Sequence, residues 1–545
     1  MTSLFKSMTI SSEGGDPRYT GYRKRRSQPS TWTSILFAVG AIFGVLVLYK
    51  WFKSYVTGSP IQLPSYKVSL LSYIMCFRKF NTSPVHPLSL LLEYFCAIAK
   101  IYEKEGIFYM WFGYKPFIFA YKSEIVKAIL CNPDSKGVPL EKMMALRSIT
   151  GDGLLLSEGK KWRRNRTLIN PAFHTRILEN YMPSFNEGSR RLVNKLKVFV
   201  NQPWVDLWPL FIVNSLDLIC KTAMGVKTAV DEDNPVITSV IKSCKIVHAI
   251  SVYRMFRPWT FCDTIFSLFP SSRKLNEASD VFHTFCKKII REKMDSLSDD
   301  KANANETDQD NDILRKKQRT FLEHLLAYHM NNPEFTLEDV QNEVYTAITA
   351  GHETVSSALN WAVYMFGVSP HFQEKVVQEL NCIFGDDYYR DVTYEDLKNM
   401  TYLESFIKEV LRLYPPVPIF PLKFKENKEI GNYIIPKDVT CVIFPYMLHR
   451  NPESFPNPEV FDPERFSPEN CSTRHPYSYL PFSMGERNCI GSRFAMMELK
   501  IVLSHLLRYF KFTSLDPRDK ISPKFATVLS NSGPLRIQLA SRTRT

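Results

Sequence analysis

The chain has 545 residues, 45% of them hydrophobic and 13% aromatic, so it can bury a large core; mean domain size would allow three or four domains, but few linkers are visible. Lysine and arginine number 69 against 55 acidic residues. The formal charge of +14 suits an anionic partner such as nucleic acid, lipid headgroups or an acidic protein, or else a basic solvated surface. The eleven cysteines are odd in number and form no CxxC pair, which excludes a disulfide framework or zinc ribbon.

An N-terminal membrane anchor is the first predicted element. Residues 1–30 form a basic tail, and residues 32–49 carry no charge. At roughly 1.5 Å per residue this uncharged run reaches about 27 Å as a helix, which nearly spans a bilayer core. We predict a transmembrane anchor at 31–52 and a proline-containing tether at 53–75. A cleaved signal peptide and a mitochondrial import signal are the alternatives.

The orientation of this anchor is ambiguous on charge alone. Four arginines and one lysine between residues 18 and 26 precede the span, more basic residues than follow it closely. The positive-inside rule therefore places the N-terminus in the cytosol and the large domain in the lumen. Unpatterned free cysteines argue against a lumenal domain, because thiols oxidise there.

The remaining chain is predicted to be mainly helical. The segment Ile107–Tyr121 has the pattern of two strands around a turn, and further strands are expected near residue 440 and at the C-terminus. Residues 295–319 are polar, first acidic and then basic, and are predicted to form a disordered surface loop. We expect one large domain at 76–545, mainly α with small β-sheets.

Cys489 stands out among the cysteines because it lies at the start of a predicted helix. Free backbone N–H groups and the helix dipole at that position favour the thiolate. Gly485 and Gly491 allow a flat ligand to approach the backbone, and Arg487 is placed to meet a carboxylate. Most free cysteines are inert core residues, but these surroundings indicate a ligand.

The spacing Phe482-x-x-Gly485-x-Arg487-x-Cys489-x-Gly491 resembles the haem-binding signature of the cytochrome P450 superfamily. The resemblance implies a cytochrome P450 fold with Cys489 as the axial ligand of the haem iron and Arg487 paired with a haem propionate. Thiolate ligation favours O–O cleavage.

A basic helical stretch supplies further cations for a haem. Trp162 and Arg166 are four residues apart and so share one helix face. Their spacing is similar to the family's Trp-x-x-x-Arg site for propionates. Without Cys489, a solvated basic helix would be the simpler interpretation.

The segment from Ala350 to Thr354 resembles the family's oxygen-activation motif. Gly351 is costly inside an apolar helix and needs a reason. By resemblance, Thr354 is the proton-relay hydroxyl and Glu353 its acid partner; a hydrogen bond from Thr354 to a helix carbonyl is the alternative. Val355 replaces a second hydroxyl found in many members. Ala350 carries no carboxylate, so a covalent haem ester is not expected.

Three charged residues resemble the family's structural lock. Glu409 and Arg412 are three residues apart on one helix face, and Arg465 precedes the cysteine loop. We assign them to folding and haem retention. The family often places an arginine near Lys423 to touch a propionate, and this chain departs from that pattern.

The resemblance implies a membrane-anchored haem-thiolate monooxygenase that inserts one oxygen atom of O2 into a fatty acid, sterol or xenobiotic. Because the chain has no GxGxxG, electrons must come from another protein. The resemblance implies NADPH–cytochrome P450 reductase, which takes electrons from NADPH, with cytochrome b5 as a further candidate donor. The implied partners are a lipophilic small molecule and membrane lipid, not nucleic acid. The alternatives are a haem-thiolate isomerase or dehydratase acting on peroxides, and a non-catalytic haem or lipid sensor.

Family topology favours the endoplasmic reticulum membrane, with a single span and a cytosolic catalytic domain. Reductase access requires that orientation, which is opposite to the charge rule taken alone. Glycosylation sequons begin at Asn81, Asn165, Asn305, Asn399 and Asn470, and they allow a direct test.

Overall fold

A computed structural model describes most of the chain after residue 85. The described residues are 44–45, 49, 63–65, 85–112, 115–132, 135–137, 145–226, 234–255, 257–303, 319–437 and 439–542. The predicted basic tail and nearly all of the predicted anchor and tether lie outside these residues. Gly44, Val45 and Tyr49 within the predicted anchor are helical. The described part of the tether packs on the domain, where the Pro64 carbonyl accepts from Tyr109 N at 2.9 Å.

Helices form most of the described chain, as predicted. In chain order the α-helices are α1 (Pro87–Ile101), α2 (Ser123–Leu130), α3 (Leu146–Thr150), α4 (Gly159–Ile169), α5 (Thr175–Glu179), α6 (Met182–Leu196), α7 (Trp208–Lys221), α8 (Pro235–Met255), α9 (Asp263–Phe266), α10 (Pro270–Asn303), α11 (Phe321–Asn331), α12 (Leu337–Val368), α13 (Pro370–Phe384), α14 (Tyr394–Asn399), α15 (Thr401–Leu413), α16 (Pro445–Leu448), α17 (Pro468–Ser472) and α18 (Ser492–Tyr509). Short 3-10 helices lie at Asn170–Phe173, Lys197–Phe199, Pro258–Phe261, Pro463–Phe466 and Pro476–Ser478.

The strands form small sheets at the edge of the helical body. They are β1 (Ile107–Phe112), β2 (Lys115–Ala120), β3 (Ser135–Gly137), β4 (Phe420–Phe424), β5 (Lys428–Ile430), β6 (Tyr433–Ile435), β7 (Thr440–Ile443), β8 (Phe510–Ser514), β9 (Pro523–Phe525), β10 (Leu529–Asn531) and β11 (Ile537–Ser541). The largest sheet has the order β1-β2-β7-β4-β3, with β2 and β7 parallel and the other neighbours antiparallel. The pairs β5–β6, β8–β11 and β9–β10 are antiparallel.

Helix α12 lies at the centre of the core. Its start is fixed by a capping box, in which Thr336 and Asp339 exchange side-chain-to-backbone hydrogen bonds. Every residue from 355 to 367 is buried, as expected for a helix that is apolar on all sides. The helix packs against α7, α18 and β8. It therefore forms one rigid wall on which a site can be built.

The prediction of a disordered loop at 295–319 was wrong for residues 295–303, which are helical. Helix α10 continues through Asn303, because Met294 and Leu297 pack against the core and the Ser298 hydroxyl donates to the Met294 carbonyl at 3.0 Å. The rest of that prediction, residues 304–318, lies outside the described residues. Among the described helices, the stretch Pro235–Arg254 is long and apolar enough to cross a membrane by length and composition, with mean hydropathy 1.3. It packs against α10, so core burial explains its composition equally well.

Candidate functional site

Cys489 lies in a tight loop immediately before α18. The loop is closed by a hydrogen bond from Cys489 N to the Phe482 carbonyl at 2.8 Å and one from Asn488 N to the Gly485 carbonyl at 3.2 Å. Gly485 has φ of +86°, and a Cβ at this position would lie 3.1 Å from the Leu130 carbonyl oxygen. The glycine is required both by the turn and by the close approach of α2.

The Cys489 side chain faces a cavity of ≈ 610 Å³ with mainly apolar walls. Gly491 is the N-cap of α18, and its N–H forms a hydrogen bond with the thiol. A Cβ at Gly491 would lie 3.9 Å from the sulfur atom. The absence of a side chain at Gly491 keeps the space beside the sulfur open, so a flat group can approach it.

Burial raises the pKa of the Cys489 thiol above its ordinary value, although the Gly491 hydrogen bond and the charge of Arg166 lower it. The side chain is exposed on the wall of the cavity. The hydrogen bond at the helix start lowers the thiol pKa, as predicted. Burial outweighs it, so the net pKa is raised and the predicted preference for the thiolate is wrong for the cavity without a metal. Such a thiol keeps its proton until a metal cation displaces it.

Arg487 and Arg166 line the same cavity as Cys489. Arg487 stacks over the Trp162 ring at 4.5 Å and donates to the Ser157 carbonyl at 2.7 Å. Arg166 donates to the Asn488 carbonyl at 2.7 Å and to its side-chain oxygen at 2.6 Å. The structure thus brings together the residues that the sequence placed around the haem. Arg166 also braces the cysteine loop, which the sequence did not predict.

Residues of α12 also line the cavity, namely Ala350, Gly351, Glu353, Thr354 and Val355. A Cβ at Gly351 would lie 3.0 Å from Ile219 Cδ1, so the glycine permits close packing of α7 on α12. The Thr354 hydroxyl donates to the Ala350 carbonyl at 2.7 Å, which is the alternative that sequence reasoning left open. Thr354 lines the same cavity as Cys489.

Glu353 faces a residue that sequence reasoning missed. Its carboxylate lies 3.1 Å from His248 Nε2 on α8, and the described contacts do not join it to Thr354. Burial raises the pKa of the Glu353 carboxyl, but the neighbouring His248 and His352 side chains bring it below its ordinary value. Glu353 is therefore an ionised, buried acid at the edge of the cavity.

The donors around the cavity fit a haem. Burial lowers the pKa of Arg487 to about 10 and lowers that of Arg166, so both cations favour an anionic partner. Neither has a carboxylate within salt-bridge distance in the described part of the chain. A haem presents two anionic propionates, an apolar ring and an iron that accepts a thiolate. Arg487, Arg166, the apolar walls and Cys489 match these features.

Comparisons with known proteins identify the family. Residues 88–539 match the sequence profile described as Cytochrome P450. The chain belongs to the cytochrome P450 family. It is 36% identical over 449 residues to Cytochrome P450 4V2 of Homo sapiens, and this match covers 81% of this chain and 83% of the human protein. It is 35% identical over 442 residues to Cytochrome P450 4c3 of Drosophila melanogaster, covering 80% of this chain and 82% of the fly protein.

Solved structures agree with this family in fold. A cytochrome P450 named CYP102L1 superposes with TM-score 0.70 at 21% identity, covering 89% of this chain and 99% of that chain. The cytochrome P450DA heme domain superposes with TM-score 0.71 at 21% identity, covering 88% and 98%. The predicted P450 fold is confirmed. Family membership also confirms that this P450 is a haem-thiolate monooxygenase of lipophilic substrates that takes electrons from a redox partner.

The predicted lock residues of this P450 meet in the core. Arg412 donates from Nε to Glu409 Oε2 at 2.6 Å and from Nη2 to Oε1 at 2.8 Å, and both side chains are fully buried. Further guanidinium bonds go to the carbonyls of His449, Pro458 and Val460. Arg465 is more distant, with Nε 3.6 Å from Glu409 Oε1. Arg412 thus ties α15 to the segment that leads into the cysteine loop.

Two departures from the family pattern are also visible. Lys423 lies on β4 but does not line the cavity, whereas its neighbour Leu422 does. A propionate contact from Lys423 is therefore not supported. Val355 is buried and lines the cavity, so an apolar surface stands where many members have a hydroxyl.

Glu343 is a second cavity residue that sequence reasoning missed. The buried carboxylate accepts from Leu154 N at 2.9 Å and from Asn165 Nδ2 at 2.5 Å. Burial raises the pKa of Glu343 to about 7, against these hydrogen bonds. The helical pattern around Glu343 did not predict this contact, because Asn165 lies on α4, far away in sequence.

Asn165 is fully buried, which excludes its sequon from glycosylation in the folded protein.

The raised pKa of Glu343 predicts a specific pH dependence of stability. Between about pH 4.5 and about pH 7 the folded state holds a proton that the unfolded state has lost, so stability falls as pH rises through this range. The shift corresponds to about 3 kcal/mol. Glu343→Gln removes the titration, so its unfolding free energy relative to wild type should rise by about 2–3 kcal/mol from pH 5 to pH 8. Denaturant unfolding at each pH measures this, and parallel pH profiles would contradict it.

Proposed function

We propose that this P450 inserts one oxygen atom of O2 into a fatty acid, with sterols and xenobiotics as the next classes to test, using electrons from NADPH through NADPH–cytochrome P450 reductase. The observation that carries the proposal is a single apolar cavity lined by Cys489, the two guanidiniums and Thr354. Bound haem supplies the iron at which O2 is activated. The test is product formation with and without NADPH and reductase.

Residues on the cysteine side hold and tune the cofactor. Cys489 would ligate the haem iron as a thiolate, and Arg487 and Arg166 with Trp162 would hold the propionates. Phe482 lines the cavity, and its carbonyl accepts from Cys489 N, which holds the cysteine loop at the start of α18. Because Gly485 and Gly491 carry no side chain, the backbone and the sulfur stay accessible to a flat cofactor.

Residues on α12 deliver protons. Thr354 donates its own hydrogen to Ala350, which leaves its oxygen lone pairs free to accept from a donor in the cavity. Glu353 borders the cavity as a carboxylate that takes up a proton from water and passes it on. Because Glu353 faces His248 and not Thr354, we propose that water connects the two side chains.

Replacing the relay hydroxyl should uncouple electron use from product formation. Thr354→Ala should keep the carbon monoxide spectrum of the reduced protein, lower product formation by roughly 10²-fold and divert electrons to hydrogen peroxide. Product and peroxide per NADPH consumed measure the effect. Ser356→Ala is the matched control, since it removes another hydroxyl of α12 that does not line the cavity. Unchanged coupling in Thr354→Ala would remove the relay role.

The cavity walls support a lipophilic substrate. Apolar side chains such as Leu154, Val252, Ile419 and Val528 form most of its wall. Apolar pockets discriminate weakly between chain lengths, so pocket chemistry alone does not select one substrate. The family resemblance implies fatty acids, sterols or xenobiotics, and we propose fatty acids as the first class to screen. Binding difference spectra with a panel of fatty acids, sterols and xenobiotics would rank them.

We propose that the catalytic domain faces the cytosol from the endoplasmic reticulum membrane, with cytochrome b5 as a further electron donor. The charge of +14 suits an acidic reductase face and anionic lipid. Asn399 and Asn470 are exposed sequons and report on the compartment. Endoglycosidase treatment should leave the electrophoretic mobility unchanged; a shift would place the domain in the lumen.

A further inference from the structure

A cluster of potential metal ligands lies behind the cavity, where α8 packs near α12. Donor atoms of Cys244, His352 and Glu353 all lie within 4.8 Å of one another, and all three residues are buried. His352 Nε2 is 3.9 Å from one Glu353 oxygen, and His248 Nε2 is 3.1 Å from the other. The cluster therefore combines a thiol, a carboxylate and two imidazoles.

The hydrogen bonding of His352 leaves a free lone pair in the cluster. His352 Nδ1 lies 2.6 Å from the Ile348 carbonyl oxygen, and a carbonyl only accepts, so the proton is on Nδ1. In a neutral ring Nε2 then carries a lone pair. Among the described residues this fully buried atom has no hydrogen-bond partner. Buried polar atoms without partners are rare and need an explanation.

Metal ligation explains this arrangement. Histidine ligands in metal sites commonly donate their second N–H to a backbone carbonyl, which fixes the tautomer and aims the other nitrogen at the metal. His352 has this geometry toward Ile348. The donor atoms must move closer together to bind zinc, because a tetrahedral zinc ion holds its ligand atoms roughly 3.3–3.6 Å apart. Side-chain rotation of Cys244 and Glu353 can supply about 1 Å.

We propose that Cys244, His352 and Glu353 bind a zinc-class divalent cation, with His248 beside the fourth coordination position. Thiolate and imidazole ligands select such ions over magnesium or calcium. One thiolate and one carboxylate neutralise the two charges of the ion, so the buried cluster is uncharged when it is occupied. Glu353 and His248 line the cavity, which gives the ion an entry path.

This site would compete with the relay role of Glu353, and that consequence rests on the proposed function. A carboxylate bound to zinc no longer supplies protons to Thr354. Zinc should therefore inhibit product formation in the wild type and raise peroxide release. If zinc binds without changing coupling, the relay role of Glu353 fails and the metal site stands.

The test is the zinc content of the purified holoenzyme after incubation with excess Zn²⁺ and desalting. Wild type should retain about one more zinc per haem iron by mass spectrometry than Cys244→Ser and His352→Asn, since both variants remove a ligand. The asparagine amide can still donate to the Ile348 carbonyl. Cys441→Ser is the matched control, because Cys441 is fully buried on β7 and absent from the cluster, and it should match wild type.

Equal zinc content in all four proteins, or none in wild type, would overturn the proposal. Folding of each variant is checked by the carbon monoxide spectrum of the reduced protein. Zinc X-ray absorption on the wild type provides a second test that needs no variant. It should show one sulfur ligand at about 2.3 Å, and an all-oxygen shell would also overturn the site.

Discussion

Cys489→Ala should abolish the red-shifted Soret band that thiolate-ligated haem gives when it is reduced and treated with carbon monoxide. The structure places this thiol in the cavity at the start of α18, held by Gly491 N–H and near Arg166. An alanine methyl group cannot bind iron, so monooxygenase turnover should be lost as well. Absorption spectroscopy of the reduced, carbon monoxide-treated protein measures the band, and product analysis measures the turnover.

Cys131→Ala is the matched control for this substitution. Cys131 also lines the cavity, but its sulfur lies 2.9 Å from the Tyr477 hydroxyl. This variant should keep the red-shifted band. If the band survives in Cys489→Ala, or disappears in Cys131→Ala alone, the assignment of Cys489 as the iron ligand is wrong.

Arg412→Leu should be the most destabilising single substitution in the lock. It leaves the Glu409 carboxylate fully buried without its main cation and removes donors to the carbonyls of His449, Pro458 and Val460. Breaking one partner of a buried ion pair costs roughly 3–5 kcal/mol. Because these bonds hold the segment before the cysteine loop, haem content should fall as well. Denaturant unfolding and the haem-to-protein ratio measure the two effects.

The exposed pair of Lys398 and Glu395 is the control for the Arg412 substitution. It has the same i,i+3 spacing and an N–O distance of 2.7 Å, but it lies at the surface. Surface pairs contribute little to stability, so Lys398→Leu should leave the unfolding midpoint unchanged. If Arg412→Leu is no more destabilising than Lys398→Leu, the lock has no role in folding.

Local sequence patterns predicted the elements whose formation depends on nearby residues. The apolar runs of β1 and β2 on either side of a turn predicted a strand pair, and the structure has it. Trp162 and Arg166 were placed on one helix face because four residues make about one turn, and α4 contains both. The predicted loop at 295–319 failed at its start because Leu297 packs against distant core residues, which composition alone does not reveal.

The parts of the site that sequence could not predict depend on contacts between distant elements. Glu353 faces His248 across α8 and α12, and Glu343 accepts from Asn165 on α4. The net pKa of Cys489 depends on how deeply the cavity removes water, so the helix-terminus argument gave only one contribution. Motifs identified the residue types, and packing determined their partners and protonation.

Isotope labelling of the product tests the central claim most directly. The purified protein is mixed with NADPH, reductase and a fatty acid under ¹⁸O₂, and the mass of the product is measured by mass spectrometry. A haem-thiolate monooxygenase should add one ¹⁸O atom per product molecule, and only when both NADPH and reductase are present. Product without ¹⁸O, or product that forms from a peroxide in the absence of reductase, would contradict the account.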